Sequence, residues 1–377
     1  MMRFLLLICI ASASISCNPR EAERRTIQEE QVMLSPSKHF LFEDFVDKVE
    51  YIKLENIPES MFSYANRLIL QGDKIYVFDR TGAHHVYVFS QEGNFIAKVG
   101  KIGKGPQEYM QLRDFDVDLE GNIYLYDRQM MTMIVYDATH TFLKKESTVD
   151  IRADGFKKLH NGNFIFSMSK ENPESTLNDF HLILTDADYK ILKRMLPMDS
   201  DFLDNYLSMS ILQNNSSNIY YNKPVDDRVY LLSQDGSEIQ RCLKLQFKNS
   251  LKREYINDYR LMENAPATIS AEYLISPPVI TEHYILGTAE YASTEVRFFY
   301  FYDKASNQPF SIDIVPENYT YRNINFPLTT LGDSAVVTLL DPSILNYDYN
   351  KDELPEDLVT HLENSGFALV VHKLKTP

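Results

Sequence analysis

The feature that bears hardest on this 377-residue chain is a motif that it repeats. Lys74-Ile75-Tyr76-Val77-Phe78-Asp79-Arg80 returns 48 residues later as Asn122-Ile123-Tyr124-Leu125-Tyr126-Asp127-Arg128. Each copy leads into a second alternating run, residues 86–89 and 133–136, and then into a third that opens at Phe95 or Phe142. A period of two in apolar character describes half-buried strands, and a long fixed period describes a repeat architecture. Weaker copies of the first run fall at residues 163–166, 218–221, 283–286 and 335–339, and of the second at 181–184, 229–232, 298–302 and 367–371. Gln71-Gly72-Asp73, Glu120-Gly121-Asn122, His160-Asn161-Gly162 and Gln234-Asp235-Gly236 supply hairpin turns at matching places. Six copies of roughly 40–65 residues predict an all-β fold, a six-bladed β-propeller of four-stranded antiparallel blades.

A ring of blades must close, because a gap exposes strand edges. The last copy stops short of an outer strand, and an unassigned run, Val49-Glu50-Tyr51-Ile52-Lys53-Leu54, stands ahead of the first copy. The expectation is that this N-terminal strand completes the sixth blade. Composition agrees with strands, with 24 Tyr and 22 Phe against only 13 Gly. Two helices are expected in long connections. One follows Ser250 and places Leu251, Tyr255, Tyr259 and Met262 on one face; the other opens at Pro355, with Leu354, Leu358 and Leu362 in register and Gly366 as its stop.

The amino terminus reads differently. Arg3, the apolar run 4–10 and the small residues that follow have the form of a secretory signal, ending Ser14-Ile15-Ser16-Cys17. This resembles the lipobox of bacterial lipoproteins, in which cleavage precedes a diacylated cysteine. The organisation expected is a signal peptide over 1–16, a lipidated tether over 17–44 and the propeller over 45–377. Lipidation of Cys17 implies a membrane partner and an address in the cell envelope, on the outer membrane, facing either the periplasm or the exterior. Cys9 leaves with the signal, so Cys242 has no free thiol to pair with and reads as a small buried hydrophobe.

The strand run 50–54, the Asp-Arg-terminated repeats and Gly103-Lys104-Gly105-Pro106-Gln107-Glu108-Tyr109 together resemble a family of bacterial six-bladed β-propeller lipoproteins related to NHL-type propellers. The resemblance spans residues 45–375 and implies the fold. It brings no catalytic residues, since that family has no established activity.

A formal charge of −15 sets the chain against phosphate backbones, so nucleic acid is not an expected partner. In a four-stranded blade the turns joining first to second and third to fourth strand share one face, and here they are short. The longer connections share the opposite face, where any ligand site is expected. Arg80 and Arg128, ending equivalent strands, would share that long-loop face with His84, His85, Lys104, Glu108 and Tyr109 as candidate ligand-binding residues. Guanidinium forks there suit a carboxylated or sulfated ligand. Asp114, Asp116 and Asp118 alternate along a predicted inner strand and offer oxygen ligands to Ca²⁺; no other cofactor is expected. Neither a nucleophile elbow nor a His-Glu-x-x-His motif occurs. The reading is a monomeric, non-catalytic binding or scaffold module for a small anionic or glycan ligand or a protein partner. Two rivals stand beside it: a metal-dependent lactonase- or lyase-type enzyme with its site at the channel mouth, and a signalling module with a membrane partner.

Overall fold

The structure, a computed structural model, describes residues 27–34, 45–168, 172, 175–198, 212–214, 218–223, 226–252, 271–292, 296–314, 327–346 and 354–375. Cys17, the signal segment and residues 253–262 of the first expected helix lie outside them.

Each repeat folds as a meander, because alternating side chains give every strand two buried faces against its neighbours. In the first blade Arg67–Gln71, Lys74–Asp79, His85–Ser90 and Phe95–Val99 lie in order from the channel outward. The second blade repeats that order with Leu112–Val117, Ile123–Asp127, Thr132–Tyr136 and Phe142–Ser147. The third does so with Ala153–Lys158, Phe164–Met168, Phe180–Thr185 and Ile191–Pro197. Leu212–Asn214, Ile219–Tyr221, Arg228–Leu232 and Ile239–Gln246 make the fourth. In the fifth, the inner strand is split into Glu272–Leu274 and Val279–Ile280 around Pro277-Pro278, which have no N–H for the ladder. Tyr284–Tyr291, Arg297–Asp303 and Gln308–Ile314 complete it.

The sixth blade carries the seam. Thr329–Leu331, Ala335–Leu340 and Ala368–Leu374 come from the C-terminal part of the chain, and the outermost strand is Val46–Lys53. Glu50 lies opposite Val371 and Ile52 opposite Leu369 in an antiparallel ladder. The N-terminal strand therefore closes the ring, as its unpaired position in the repeat demanded. Apolar clusters fill the spaces between neighbouring blades. At the seam Leu68, Ile75, Val77, Tyr87 and Phe89 of blade one meet Ala335, Val337, Leu369 and Val371 of blade six, and Phe62 stacks on Phe367 with ring centroids 4.5 Å apart.

Two findings go beyond the expected organisation. Part of the segment read as tether is itself a strand: Glu29–Met33 runs parallel to the outer strand of blade four, with Glu29 opposite Cys242 and Met33 opposite Gln246. Its lack of apolar period hid it. Only Val32 and the following Leu34 are buried, while Glu29 and Glu30 reach Arg228 and Arg241. The helix expected after Pro355 spans Glu356–Glu363 and buries Leu358 and Leu362 with Leu354 against Leu340, Ile344 and Val370, so its apolar stripe packs on the propeller body. The left-handed residue that ends it is Ser365, and Gly366 serves a different need: a Cβ there would stand 2.3 Å from the His361 ring.

Gly93 reports on the seam. It adopts φ +92°, its carbonyl accepts from Glu55 N–H, and a Cβ would fall 2.0 Å from the Lys53 carbonyl oxygen at the end of the closing strand. Gly72 has φ +62° with open space around it. Gly72→Ala is expected to cost only the left-handed penalty of about 1–2 kcal/mol, whereas Gly93→Ala loses more because the closing strand must move. Urea denaturation of the two variants checks the ordering, and equal losses would contradict a stressed seam.

Candidate functional site

Strand alternation points every second side chain of the inner strands into the channel, and three blades fill it with charge. Arg67 of blade one pairs with Asp114 of blade two and lies 3.7 Å from Asp116, which accepts from Lys157 Nζ of blade three at 2.8 Å. Asp114 also accepts the Phe156 N–H at 3.0 Å, and Asp116 the Lys158 N–H at 2.8 Å. These two carboxylates stitch blade two to both neighbours. A buried carboxylate holds its charge when cations and N–H donors replace water. Asp118 lies past the end of the strand, where it accepts from Asn122 N–H and Nδ2 and from the Tyr124 hydroxyl. The three acids thus do not form the Ca²⁺ cage their spacing suggested: two are occupied by cations and the third caps a turn. Among the described residues no three His, Cys, Asp or Glu side chains gather as metal ligands.

Toward the long-loop mouth stands a second charged group. Asp154 receives Arg113 Nη2 at 2.7 Å, with Lys223 Nζ at 3.5 Å and Arg128 Nε at 4.0 Å. Arg113 and Lys223 are buried and Arg128 nearly so. Arg80 joins them from the end of its strand in blade one. Burial, and next the positive charge of Arg113, lower its hold on its proton, opposed by Asp114 and Asp154. Among the described residues its guanidinium has no hydrogen-bond or ion-pair partner; only its backbone N–H is engaged, by Asn66 Oδ1. Three of these cations lie within 4.0 Å of Asp154, and among the described residues the Arg80 guanidinium stands without a partner in a partly dehydrated place.

The aspartates that precede these arginines do not pair with them. Asp79 accepts the N–H groups of Ser63, Tyr64, Gly82 and Ala83. Asp127 accepts those of Met110, Gln111, Gln129 and Met130. Each carboxylate ties the loop entering its blade to the loop joining its second and third strands.

The other candidates sit elsewhere. Glu108 folds back so that its carboxylate accepts the Gly105 N–H at 2.8 Å, and a Cβ on Gly103 would collide with it. The glycine-rich loop is thus filled by the chain's own anion, with Lys104 exposed beside it. Tyr109 is fully buried; its hydroxyl donates to the His84 carbonyl and lies 2.6 Å from His85 Nδ1. Burial, then the charge of Lys98, push His85 down to about 4. These residues form an inter-blade packing unit, and none of their hydrogen bonds involves the cation group.

Arg113, Asp154 and Lys223 escaped the sequence reading. Lys223 had a signal, since it follows Asn222 at the end of a second strand as Arg80 follows Asp79. At the opposite end of the channel a cavity of about 520 Å³ runs from Arg67 and Lys157 to the short turns, past Asp118, His160, Gln213 and Thr329. Loop length had not pointed to that end.

The chain matches, over residues 25–366, the family model described as a domain of unknown function, DUF4934. Among solved structures it is similar to a protein of Bacteroides fragilis NCTC 9343 whose name marks it as a candidate for export: 19% identity, 92% of this chain and 100% of that one covered, TM-score 0.76. It is also similar to a member of the DUF4221 family from Bacteroides vulgatus ATCC 8482, at 9% identity, 88% and 97% coverage and TM-score 0.52. At such identities the likeness establishes the propeller fold. No curated protein matches the sequence.

Two predictions test the electrostatics. Asp114→Ala takes the nearer partner from the buried Arg67 and the acceptor from the Phe156 N–H, and is expected to destabilise by about 3–5 kcal/mol, whereas Asp118→Asn, at a partly exposed turn, stays within about 1 kcal/mol; urea midpoints decide. His372 is fully buried and burial pushes it down to about 3. The unfolded chain takes up that proton near pH 6.5 and the folded chain does not. Stability is therefore lost as pH falls below about 6.5, by about 1.4 kcal/mol per pH unit for this one group. His372→Gln removes that contribution to the slope, and an unchanged slope between pH 6 and 4.5 would refute it.

Proposed function

We propose that this chain, which belongs to the DUF4934 family, is an envelope lipoprotein whose propeller is a non-catalytic module binding a small carboxylated or sulfated ligand at the long-loop mouth of its channel. The signal-like run, Cys17 and the exported-type name of a structural relative support the address. The single observation that carries the ligand class is Arg80. A guanidinium taken out of water without a partner costs free energy that an incoming anion recovers, and its planar fork accepts a carboxylate or sulfate in two parallel hydrogen bonds. Arg113, Arg128 and Lys223 gather cationic groups at the same place on a chain whose formal charge is −15, which favours a small anion there over a large polyanion. Asp154 holds the three paired cations in position and leaves Arg80 as the arm that engages the ligand.

The test is calorimetry and thermal shift at low salt against mono- and dicarboxylates, sulfated saccharides and uncharged saccharides. Anions are expected to stabilise the fold and uncharged sugars to leave it unmoved. Arg80→Ala should fold as the parent does, because nothing in the described structure leans on that guanidinium. It should weaken anion binding by roughly 10–100-fold, the worth of hydrogen bonds to a charged group. Undiminished binding in Arg80→Ala, or no stabilising anion at all, would remove the reading.

A further inference from the structure

We propose that the lipid anchor holds the propeller with its short-turn face toward the bilayer, so that the cationic long-loop mouth opens away from the membrane and takes a soluble anion rather than a lipid headgroup. This rests on the lipoprotein reading above and adds to it the orientation and the source of the ligand.

Strand direction carries the argument. The outer strand of blade four, Ile239–Gln246, leaves the short turn at Gln234-Asp235-Gly236 and runs toward the long connection that leads to blade five. Glu29–Met33 is parallel to it, with five consecutive residue pairs from Glu29–Cys242 to Met33–Gln246. The chain therefore enters the propeller from the short-turn side and travels toward the long-loop side. Two contacts fix that entry. Gln28 O accepts the Cys242 N–H at 3.1 Å, and Ile27 packs against the cluster shared by blades three and four, which includes Leu232 and Leu184 at the short-turn ends of their strands. Arg241 and Arg228 pair with Glu30 and Glu29 and hold the strand in register.

Tether length then decides the face. Nine residues separate Cys17 from Ile27, ten steps of chain in all. Ten steps of chain reach at most about 36 Å when fully drawn out. The eight residues of Ile239–Gln246 alone rise about 26 Å. Ile27 lies level with residue 240, about 20 Å short of the Gln246 end, so placing Cys17 beyond the long-loop face would make the tether double back along the blade and use more than half of its full reach. Leaving straight from Ile27 on the short-turn side requires neither. Arg80, Arg113, Arg128 and Lys223 lie at the opposite end of the channel, and the buried Arg67, Asp114, Asp116 and Lys157 fill the channel between. A headgroup in the anchoring membrane thus faces the end of the channel opposite the mouth.

The experiment uses the full lipidated chain in nanodiscs, with single fluorophores on opposite faces of one blade: Thr139→Cys in a short turn and Met130→Cys in a long connection, both exposed. Incorporation of labelled fatty acid at Cys17, and its loss in Cys17→Ser, is read first; no incorporation removes the lipoprotein reading and this orientation with it. Given lipidation, energy transfer to acceptor lipids is expected to be several-fold greater from residue 139 than from residue 130. Equal transfer from the two sites, or the reverse order, overturns the orientation and leaves the lipoprotein reading standing. A second readout bears on the ligand source. Stabilising anions should bind nanodisc-held and lipid-free protein within about twofold of each other, and vesicles rich in phosphatidylglycerol should not compete with them. Competition by those vesicles would identify a headgroup as the ligand and defeat the proposal.

Discussion

Ring closure is the constraint on which the molecule depends. Each blade buries its faces only against the two beside it, so a ring with one open joint exposes two sheets of aromatic and branched side chains. The chain solves this by separating the sixth blade in sequence and reuniting it in space, with Val46–Lys53 laid on Ala368–Leu374. Gly93, approached by the Lys53 carbonyl, and the Phe62–Phe367 stack show how tightly that joint is drawn. The strand at residues 29–33 extends the same device one step earlier, so that the N-terminal segment grips blade four before it seals blade six.

Once closed, the ring forces inner strands from adjacent blades to share a narrow channel, and side chains there must settle their charges among themselves. Asp114 and Asp116 do so completely, with cations and backbone N–H groups on both sides. Around Asp154, Arg113, Arg128 and Lys223 gather, and among the described residues the Arg80 guanidinium beside them has no partner. The first of those two layers is a structural cross-brace, and the second is where the ligand site is proposed. Structural closure and candidate recognition are in this sense one consequence of the same geometry.

The repeated Asp-Arg pair illustrates how much of this was legible beforehand. Its recurrence at 48 residues revealed equivalent strand ends, from one of which Arg128 comes to 4.0 Å from Asp154. Period-two patterning carried the blade number and the closing strand, since both follow from local alternation and a count. The acids at 114, 116 and 118 misled for the same reason: alternation says which side chains share a face and nothing about what stands opposite. Lys104 and Glu108 were candidates for one ligand site, yet the Glu108 carboxylate turns back onto the Gly105 N–H of its own loop.

By itself, then, the sequence determined the strands, their order, the six repeats and the candidate arginines at strand ends, because these rest on short-range periodicity and on the requirement that edges be covered. Only the tertiary structure decided which charges neutralise one another, that Asp154 and Lys223 join Arg113 and Arg128 from other blades, that Arg80 is left over, and from which face the N-terminal strand enters. Those outcomes depend on contacts between residues scores of positions apart, at distances of 3–4 Å that one residue of register could remove. Periodicity contains no information at that scale; closure of the ring supplies it.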